Sequence, residues 1–197
     1  RVLFRSGHGS VNSYAEGIHN DSGSLPGTYN FVGDFGNNNH ATAGLFFGIG
    51  ESWDAFYLGL EAETEGSSAE WMHQRSPTGR DFGVKKKSAV GLGLRAGYQL
   101  QNGTLLYLTR ARLRTRFITD WVKGGTSANH ISRDDKVYAD RIGVGADIPT
   151  SRSVFLRLSY AYTDYEPYQF ITNHANTDDM TFDNSETLFR LGVGVHF

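Results

Sequence analysis

Residues 89–114 of this 197-residue chain read AVGLGLRAGYQLQNGTLLYLTRARLR. Apolar residues alternate with small or charged ones on both sides of a short polar segment that contains Asn102-Gly103. Alternation of period two is the pattern of a strand whose two faces meet different surroundings, and Asn-Gly favours the two-residue turn of a hairpin. This stretch therefore predicts a β-hairpin, and the apolar face of its first strand carries Leu92 and Leu94.

The same alternation recurs in five other segments of the chain. They are residues 42–50, 56–63, 141–146, 154–162 and 189–197. Together with the two strands of the hairpin, they make seven strands. A closed antiparallel barrel with both ends on one side needs an even number of strands. We therefore expect an eighth strand near residues 2–14, where the alternation itself is poor, and a single all-β domain over residues 1–197.

The segments between these strands fall into two classes of length. Short turns are predicted near residues 50–54, 99–104 and 147–152. Long polar loops are predicted near residues 15–40, 65–87, 117–136 and 165–185. Short periplasmic turns and long extracellular loops are typical of bacterial transmembrane β-barrels. The sequence therefore predicts an eight-stranded antiparallel transmembrane β-barrel.

Composition is compatible with this prediction and excludes several classes of protein. No run approaches the ~20 apolar residues of a transmembrane helix, whereas a barrel strand needs apolar residues only at alternate positions. The chain has no cysteine, which excludes a disulfide, a thiol nucleophile and a cysteine zinc site. A net charge of −2 argues against a nucleic-acid partner, and no cofactor or metal is expected. No signal peptide is visible, so residue 1 is taken to belong to a mature or trimmed chain.

Charged residues share a face with glycine in several predicted strands, while the opposite face is apolar. A small barrel has room inside for glycine and a few long side chains, whereas an arginine that faces lipid at the midplane costs roughly 2–4 kcal/mol. The predicted lumen residues are Glu61, Glu63, Arg95, Arg110, Arg112, Arg114, Arg141, Arg157 and Arg190. Since buried charges need partners, we expect a plug of ion pairs rather than a pore. Arginines outnumber acids in this set, so any residual conductance should favour anions.

The C-terminus resembles the signal that outer-membrane barrels present to their assembly machinery. In that pattern a polar residue, a glycine, alternating apolar residues and a final aromatic follow one another, and here they are Arg190, Gly192, Val195 and Phe197. From about residue 40 onward, the chain resembles the small outer-membrane β-barrels of the OmpA and opacity types. The resemblance implies integral location in a bacterial outer membrane, contact with its lipid and lipopolysaccharide, and insertion by the barrel assembly machinery.

Three functions remain open on the sequence. The favoured one is a non-enzymatic surface barrel that serves envelope structure or contacts a partner through its loops, and the second is a narrow porin-like channel for small solutes. The third is a lipid A-modifying enzyme, because His130-Ile131-Ser132 resembles the His-x-Ser element of barrel lipid A deacylases. We expect this triplet in a loop, whereas such chemistry needs a rigid site. Residues 173–183 offer oxygens for calcium but lack defined ligand spacing, so a solvated acidic loop is favoured.

Overall fold

A computed structural model describes residues 2–19, 27–29, 38–75, 80–123, 130–171 and 178–196. The strands are β1 (Val2–His19), β2 (Gly27–Tyr29), β3 (Asn38–Trp53), β4 (Phe56–Ser67), β5 (Glu70–Arg75), β6 (Arg80–Gln99), β7 (Leu105–Lys123), β8 (His130–Pro149), β9 (Val154–Tyr165), β10 (Tyr168–Phe170) and β11 (Asp178–Val195). The described parts of the chain contain no helical segment that could span a membrane.

Eight long strands form a closed antiparallel ring in the order β1-β3-β4-β6-β7-β8-β9-β11, and β11 pairs with β1. The three short strands extend this ring at one end, where β2 pairs with β1, β5 with β6 and β10 with β11. Following paired residues around the ring from Val2 leads back to β1 at Asn12, ten residues further along. Such a stagger accompanies the strand tilt of closed barrels. The predicted eight-stranded antiparallel barrel is therefore confirmed.

The first strand, predicted only because a barrel must close, is present and longer than expected. It pairs with β11 from Val2 opposite Val195 to His19 opposite Asp178. Its alternation is poor because an inward glycine makes room for a larger neighbour. A Cβ atom on Gly7 would lie only 2.7 Å from the side chain of Arg190.

The connections at one end of the barrel are short, as predicted. Only residues 54–55, 100–104 and 150–153 separate the paired strands there. Gly103 adopts a φ of +83°, a left-handed conformation that glycine accepts without strain. At the other end, the strands reach well into the segments predicted to be loops. The predicted loops near residues 15–40, 65–87, 117–136 and 165–185 are therefore too long.

Outward-facing side chains divide the barrel into two regions. The membrane region comprises residues 2–8, 43–64, 90–110, 142–162 and 189–196, and most of its outward side chains are apolar. The outer region comprises the remaining described residues, which lie towards the long connections. Exposed apolar side chains of the membrane region include Phe4, Leu45, Phe47, Ile49, Phe56, Leu58, Leu60, Leu92, Leu94, Leu108, Ile142, Val144, Phe189, Leu191 and Val193. Such an apolar band, about 25 Å tall in outer-membrane barrels, faces lipid.

The outer region has the opposite arrangement of polar and apolar faces. Its inward side chains form the aromatic core, which includes Trp71, Phe82, Phe117, Trp121, Tyr165, Tyr168, Phe170, Met180 and Phe182. Its outward side chains include Arg112, Arg116, Asp134, Asp140, Asp164 and Asp183. Because strand alternation continues with reversed polarity, polar residues that suggested loops lie instead on the outward face of strands.

Candidate functional site in the barrel interior

Below the aromatic core, the interior is filled by charged side chains in two clusters. The lower cluster lies nearer the short turns and consists of Glu61, Arg95, Asp147 and Arg157. Arg157 donates from Nε to Asp147 Oδ1 at 2.7 Å and from Nη1 to Glu61 Oε2 at 2.8 Å. Arg95 also donates to Asp147, and its guanidinium lies 3.7 Å from the centre of the Tyr107 ring. Each arginine of the lower cluster therefore has a carboxylate partner.

The upper cluster lies at the border between the two regions. It consists of Arg5, His40, Glu63, Glu65, Lys86, Arg141, Tyr165, Glu186 and Arg190. Arg141 donates from Nη1 to Glu63 and from Nη2 to Glu65, at 3.0 Å in both cases. Lys86 donates from Nζ to Glu65 at 2.8 Å and to Glu186 at 2.7 Å. Two cations thus hold three carboxylates, of which Glu63 and Glu65 lie in β4 and Glu186 lies in β11.

Other members of the upper cluster complete these contacts. Arg5 Nη2 lies 2.6 Å from Glu63 Oε2. The Tyr165 hydroxyl donates to Glu186 at 2.8 Å, and His40 Nε2 lies 2.9 Å from the other oxygen of the same carboxylate. A buried carboxylate without partners would be costly, and here each is contacted by several polar groups.

The aromatic core lies above the upper cluster. Phe117 stacks on Tyr168 with 5.6 Å between ring centres, and Tyr168 stacks on Phe182 at 5.2 Å. Phe82 meets Phe170 edge to face at 6.0 Å. All five rings are buried, and burial raises the pKa of Tyr168, so its hydroxyl stays neutral. The interior of the outer region is therefore packed like the core of a water-soluble domain.

Cavities in the charged interior are small. A cavity of about 30 Å³ lies between the two clusters, and Glu63 and Arg190 are among its lining residues. Another of about 60 Å³, near the short turns, is lined partly by Tyr57 and Asp147. Since about 10–15 Å³ of such volume accommodates one water molecule, each cavity has room for a few waters. Both are far below the 300–1,000 Å³ of small-molecule sites.

Six of the nine predicted lumen residues lie inside the barrel. They are Glu61, Glu63, Arg95, Arg141, Arg157 and Arg190. The four arginines are at most 5% exposed. The structure brings the predicted acids and these arginines together in the two clusters.

The placement of Arg110, Arg112 and Arg114 in the lumen is wrong, because these side chains face outward. The inward positions of β7 beside them are Thr109, Ala111 and Leu113, and the side chain of Arg112 is 46% exposed. The prediction assumed that charged residues share a face with small ones. On β7 the small residues face inward and the arginines face the other way, so the assumption fails there.

Several interior groups were missed by the sequence prediction. They are Arg5, His40, Glu65, Lys86, Asp147 and Glu186. Glu65 continues the alternate positions of Glu61 and Glu63, and Asp147 continues those of Arg141, but the predicted strands ended before them. With these groups, the clusters contain six arginine or lysine side chains and five carboxylates. The excess of basic over acidic groups among the described interior residues is therefore one, smaller than predicted, and the expectation of anion preference stays a prediction.

The other candidate elements lie in strands of the outer region. His130 begins β8, and Ser132 faces outward in it, so the expectation of a loop is wrong for this pair. Of residues 173–183, only 178–183 are described, and they begin β11 rather than form a loop. In the described part of the chain, no group of three or more His, Asp or Glu side chains is placed to hold a metal ion.

The residues that resemble an assembly signal lie mostly in β11. Arg190 points into the upper cluster and Val195 faces outward in the apolar band. A Cβ atom on the inward Gly192 would lie 3.0 Å from the carbonyl oxygen of Phe4, so glycine permits close approach of β1. Phe197 lies outside the described residues.

Comparison with known proteins identifies the fold. Neither a protein-family model nor a curated protein matches the chain. It is similar to the outer membrane protease OmpT from Escherichia coli, with a TM-score of 0.56 and 10% identity over 99% of this chain and 96% of that one. It is less similar to Neisserial surface protein A, with a TM-score of 0.48 and 14% identity over 98% of this chain and 97% of that one. For Ail of Yersinia pestis the TM-score is 0.42, with 14% identity over 98% of both chains.

At this level of identity the similarity to OmpT shows the fold alone. That fold agrees with the lipid-facing band of the membrane region and with the sorting of short and long connections to opposite ends. Both observations lead to the same assignment. The chain is an integral β-barrel of the bacterial outer membrane.

Proposed function

We propose that this protein is a non-enzymatic surface barrel with a plugged lumen, which serves envelope structure or contacts a partner through its outer region and loops. The observation that carries the proposal is the filling of the described interior by two ion-pair clusters and the aromatic core. A solute that crossed the barrel would have to separate buried ion pairs, which leaves uncompensated charges, and displace stacked rings.

The length of the strands supports a role at the cell surface. A strand of about 9–11 residues is enough to cross a bilayer, whereas β6, β7 and β8 contain 20, 19 and 20 residues. The additional length extends the strands beyond the apolar band, so their outer ends stand above the lipid surface. Loops on such scaffolds commonly carry recognition.

Single-channel recording of the refolded protein in a planar bilayer tests the plug. We expect no conductance steps from the wild type when insertion is shown independently by protease protection. Discrete steps would contradict the plug and make a narrow porin-like channel the better candidate.

Charge-balanced variants make this test sharper. Arg157→Ser with Asp147→Ser removes one pair from the lower cluster and leaves Arg95 beside Glu61, so no net charge is created. Because the upper cluster and the aromatic core remain, we expect only brief conductance events, which the wild type lacks. The matched control is Arg112→Ser with Asp140→Ser, which removes an arginine–aspartate pair from the outer wall.

The control variant is expected to be as silent as the wild type. Equal leakage through both variants would show that the ion pairs of the lumen do not block it. Gel mobility before and after heating shows whether each variant has folded.

The absence of enzymatic activity is tested separately. Lipid A from cells that overproduce the protein is expected to give the same mass spectrum as lipid A from control cells. Loss of an acyl chain would favour the lipid A-modifying enzyme instead. Ser132→Ala would then show whether the exposed Ser132 is required.

A further inference from the structure

A row of arginines follows the outward face of β7 at the border between the two regions. Arg110, Arg112 and Arg114 occupy successive outward positions after Leu108, an outward apolar residue of the membrane region. Outward positions repeat about every 6.8 Å along a strand, so the row is roughly 14 Å long. We call these three residues the arginine row.

Arg110, the member of the arginine row nearest the short turns, lies inside the apolar band. Arg110 is paired with Leu94 on β6 and with Ile142 on β8, and both neighbours are 58% exposed on the outside of the barrel. Leu92 and Val90 continue the apolar strip beside the row along β6. An arginine among lipid-facing residues is costly unless its guanidinium reaches headgroups or an anion.

Carboxylates of the protein neutralise only the middle of the row. Arg112 pairs with Asp140 at 2.7 Å and also with Glu166, and both acids lie on the side of β8 and β9. Within the described residues, neither Arg110 nor Arg114 has an ion-pair partner. Two exposed guanidinium groups of the row therefore keep their charge available on the outer wall, and the acids that neutralise Arg112 lie on the β8 side rather than the β6 side.

We propose that the seam between β6 and β7 binds a phosphorylated lipid of the outer leaflet. Its phosphate oxygens accept hydrogen bonds from Arg110 and Arg114, and an acyl chain lies over Leu92 and Leu94. Guanidinium groups match phosphate oxygens through paired N–H donors. The exposed leucines beside the row supply apolar contact that a free phosphate ion would not use.

The distribution of charge around the outer wall supports an anionic ligand at this seam. On β6 the exposed Lys87 adds a further cation near the arginine row. The outward faces of β9 and β11 instead carry Asp164 and Asp183. An anion is therefore attracted to one side of the barrel. Because this site lies on the outer wall, it does not depend on whether the lumen conducts.

Binding of lipopolysaccharide to the refolded protein in detergent micelles tests the proposal, with affinity measured by native mass spectrometry. Arg110→Gln with Arg114→Gln is expected to bind at least tenfold more weakly than the wild type. The matched control is Arg133→Gln with Arg152→Gln, which loses the same two charges at exposed positions further from the arginine row. We expect it to bind within twofold of the wild type. The single variants are each expected to lose part of the affinity, and gel mobility on heating checks folding.

Two further ligands separate a lipid site from a simple anion site. Lipopolysaccharide without its phosphates is expected to bind the wild type at least tenfold more weakly, and inorganic phosphate at millimolar concentration should not displace the intact lipid. Unchanged affinity of the double variant, equal binding of the dephosphorylated lipid, or complete displacement by inorganic phosphate would each overturn the proposal.

Discussion

The membrane region and the outer region share the same strands but present opposite faces to their surroundings. On β7, outward Leu108 and inward Thr109 of the membrane region give way to outward Arg116 and inward Phe117 of the outer region. The alternation continues without interruption, and only the polarity of its two faces changes. Apolar groups are driven out of water, so the change indicates where the outward face passes from lipid to water.

The two interiors also stabilise the barrel in different ways. The aromatic core gains from burial of apolar area, which is non-directional and amounts to about 25 cal/mol per Å². The ion-pair clusters depend instead on specific partners, because a buried charge that loses its partner remains uncompensated. Truncation in the aromatic core leaves a cavity into which neighbours can partly relax, whereas truncation in a cluster leaves a charge without a counterion. The regions should therefore respond differently to substitution.

Removal of a carboxylate from the upper cluster should have the largest effect. Glu65 is 3% exposed and accepts hydrogen bonds from Lys86 and Arg141. In Glu65→Ala these cations lose a shared partner, so the free energy of unfolding should fall by about 3–5 kcal/mol. Equilibrium unfolding by urea in lipid vesicles, followed by tryptophan fluorescence, measures the loss.

A matched control for this variant is Glu16→Ala. Glu16 is an exposed glutamate on the outward face of β1, and its removal should change the free energy of unfolding by no more than about 0.5 kcal/mol. Similar losses in the two variants would show that burial of the ion pairs does not determine their contribution.

Truncation of a ring in the aromatic core should have the next largest effect. Phe117 is 1% exposed and packs against Tyr168 and Tyr165. Phe117→Ala should lower the free energy of unfolding by about 3 kcal/mol, whereas Phe117→Leu should cost less than about 1.5 kcal/mol. Hydrogen exchange should show the loss of protection mainly in the outer region. Equal loss of protection in the membrane region would mean that the two regions unfold as one unit.

A charge placed on the outer wall tests where lipid ends. Leu60 in the membrane region is 47% exposed, and Tyr14 in the outer region is 44% exposed. Leu60→Arg should lower the stability of the inserted barrel by about 2–4 kcal/mol, whereas Tyr14→Arg should have little effect because the side chain meets water. Urea unfolding in vesicles compares the two variants. Equal losses would contradict the division of the barrel into these regions.

The fold was predictable where the outward face meets lipid. Leu92 and Leu94 alternate with small residues and Arg95, so the lipid-facing and interior sides of β6 can be separated on the sequence. The same reasoning located the buried Arg141 and Arg157. The first strand followed from closure alone, because its inward glycines weaken the pattern.

The outer region was not predictable by the same rule, because its polarity is reversed. Phe117 and Trp121 face inward there, while Arg116 faces water. These segments are polar enough to be interpreted as loops. A prediction that identifies strands by an apolar outward face therefore ends each strand at the border between the membrane region and the outer region. The misplacement of Arg112 has the same cause, since it lies where one polarity pattern replaces the other. Cross-strand pairing, which only the structure provides, resolves its direction.

An exposed ion pair of the outer region should contribute least. Asp134 accepts a hydrogen bond from Arg116 Nε at 2.8 Å, and this bond lowers the pKa of the Asp134 carboxyl below its usual value. The resulting stabilisation is fully present above the ordinary aspartate pKa of about 3.9 and is lost as the pH falls through the lowered pKa. Because both side chains are exposed, the stabilisation is small.

Arg116→Gln tests whether this exposed pair on the outer wall stabilises the barrel less than the buried pairs do. The Asp134 carboxyl should then titrate closer to a pKa of about 3.9, while the urea midpoint at pH 7 should hardly change. NMR titration of the carboxyl carbon measures the first quantity, and unfolding in vesicles measures the second. A midpoint shift as large as that of Glu65→Ala would mean that exposed and buried pairs stabilise the barrel alike. Only the aromatic core would then distinguish the contribution of the interior to stability from that of the outer wall.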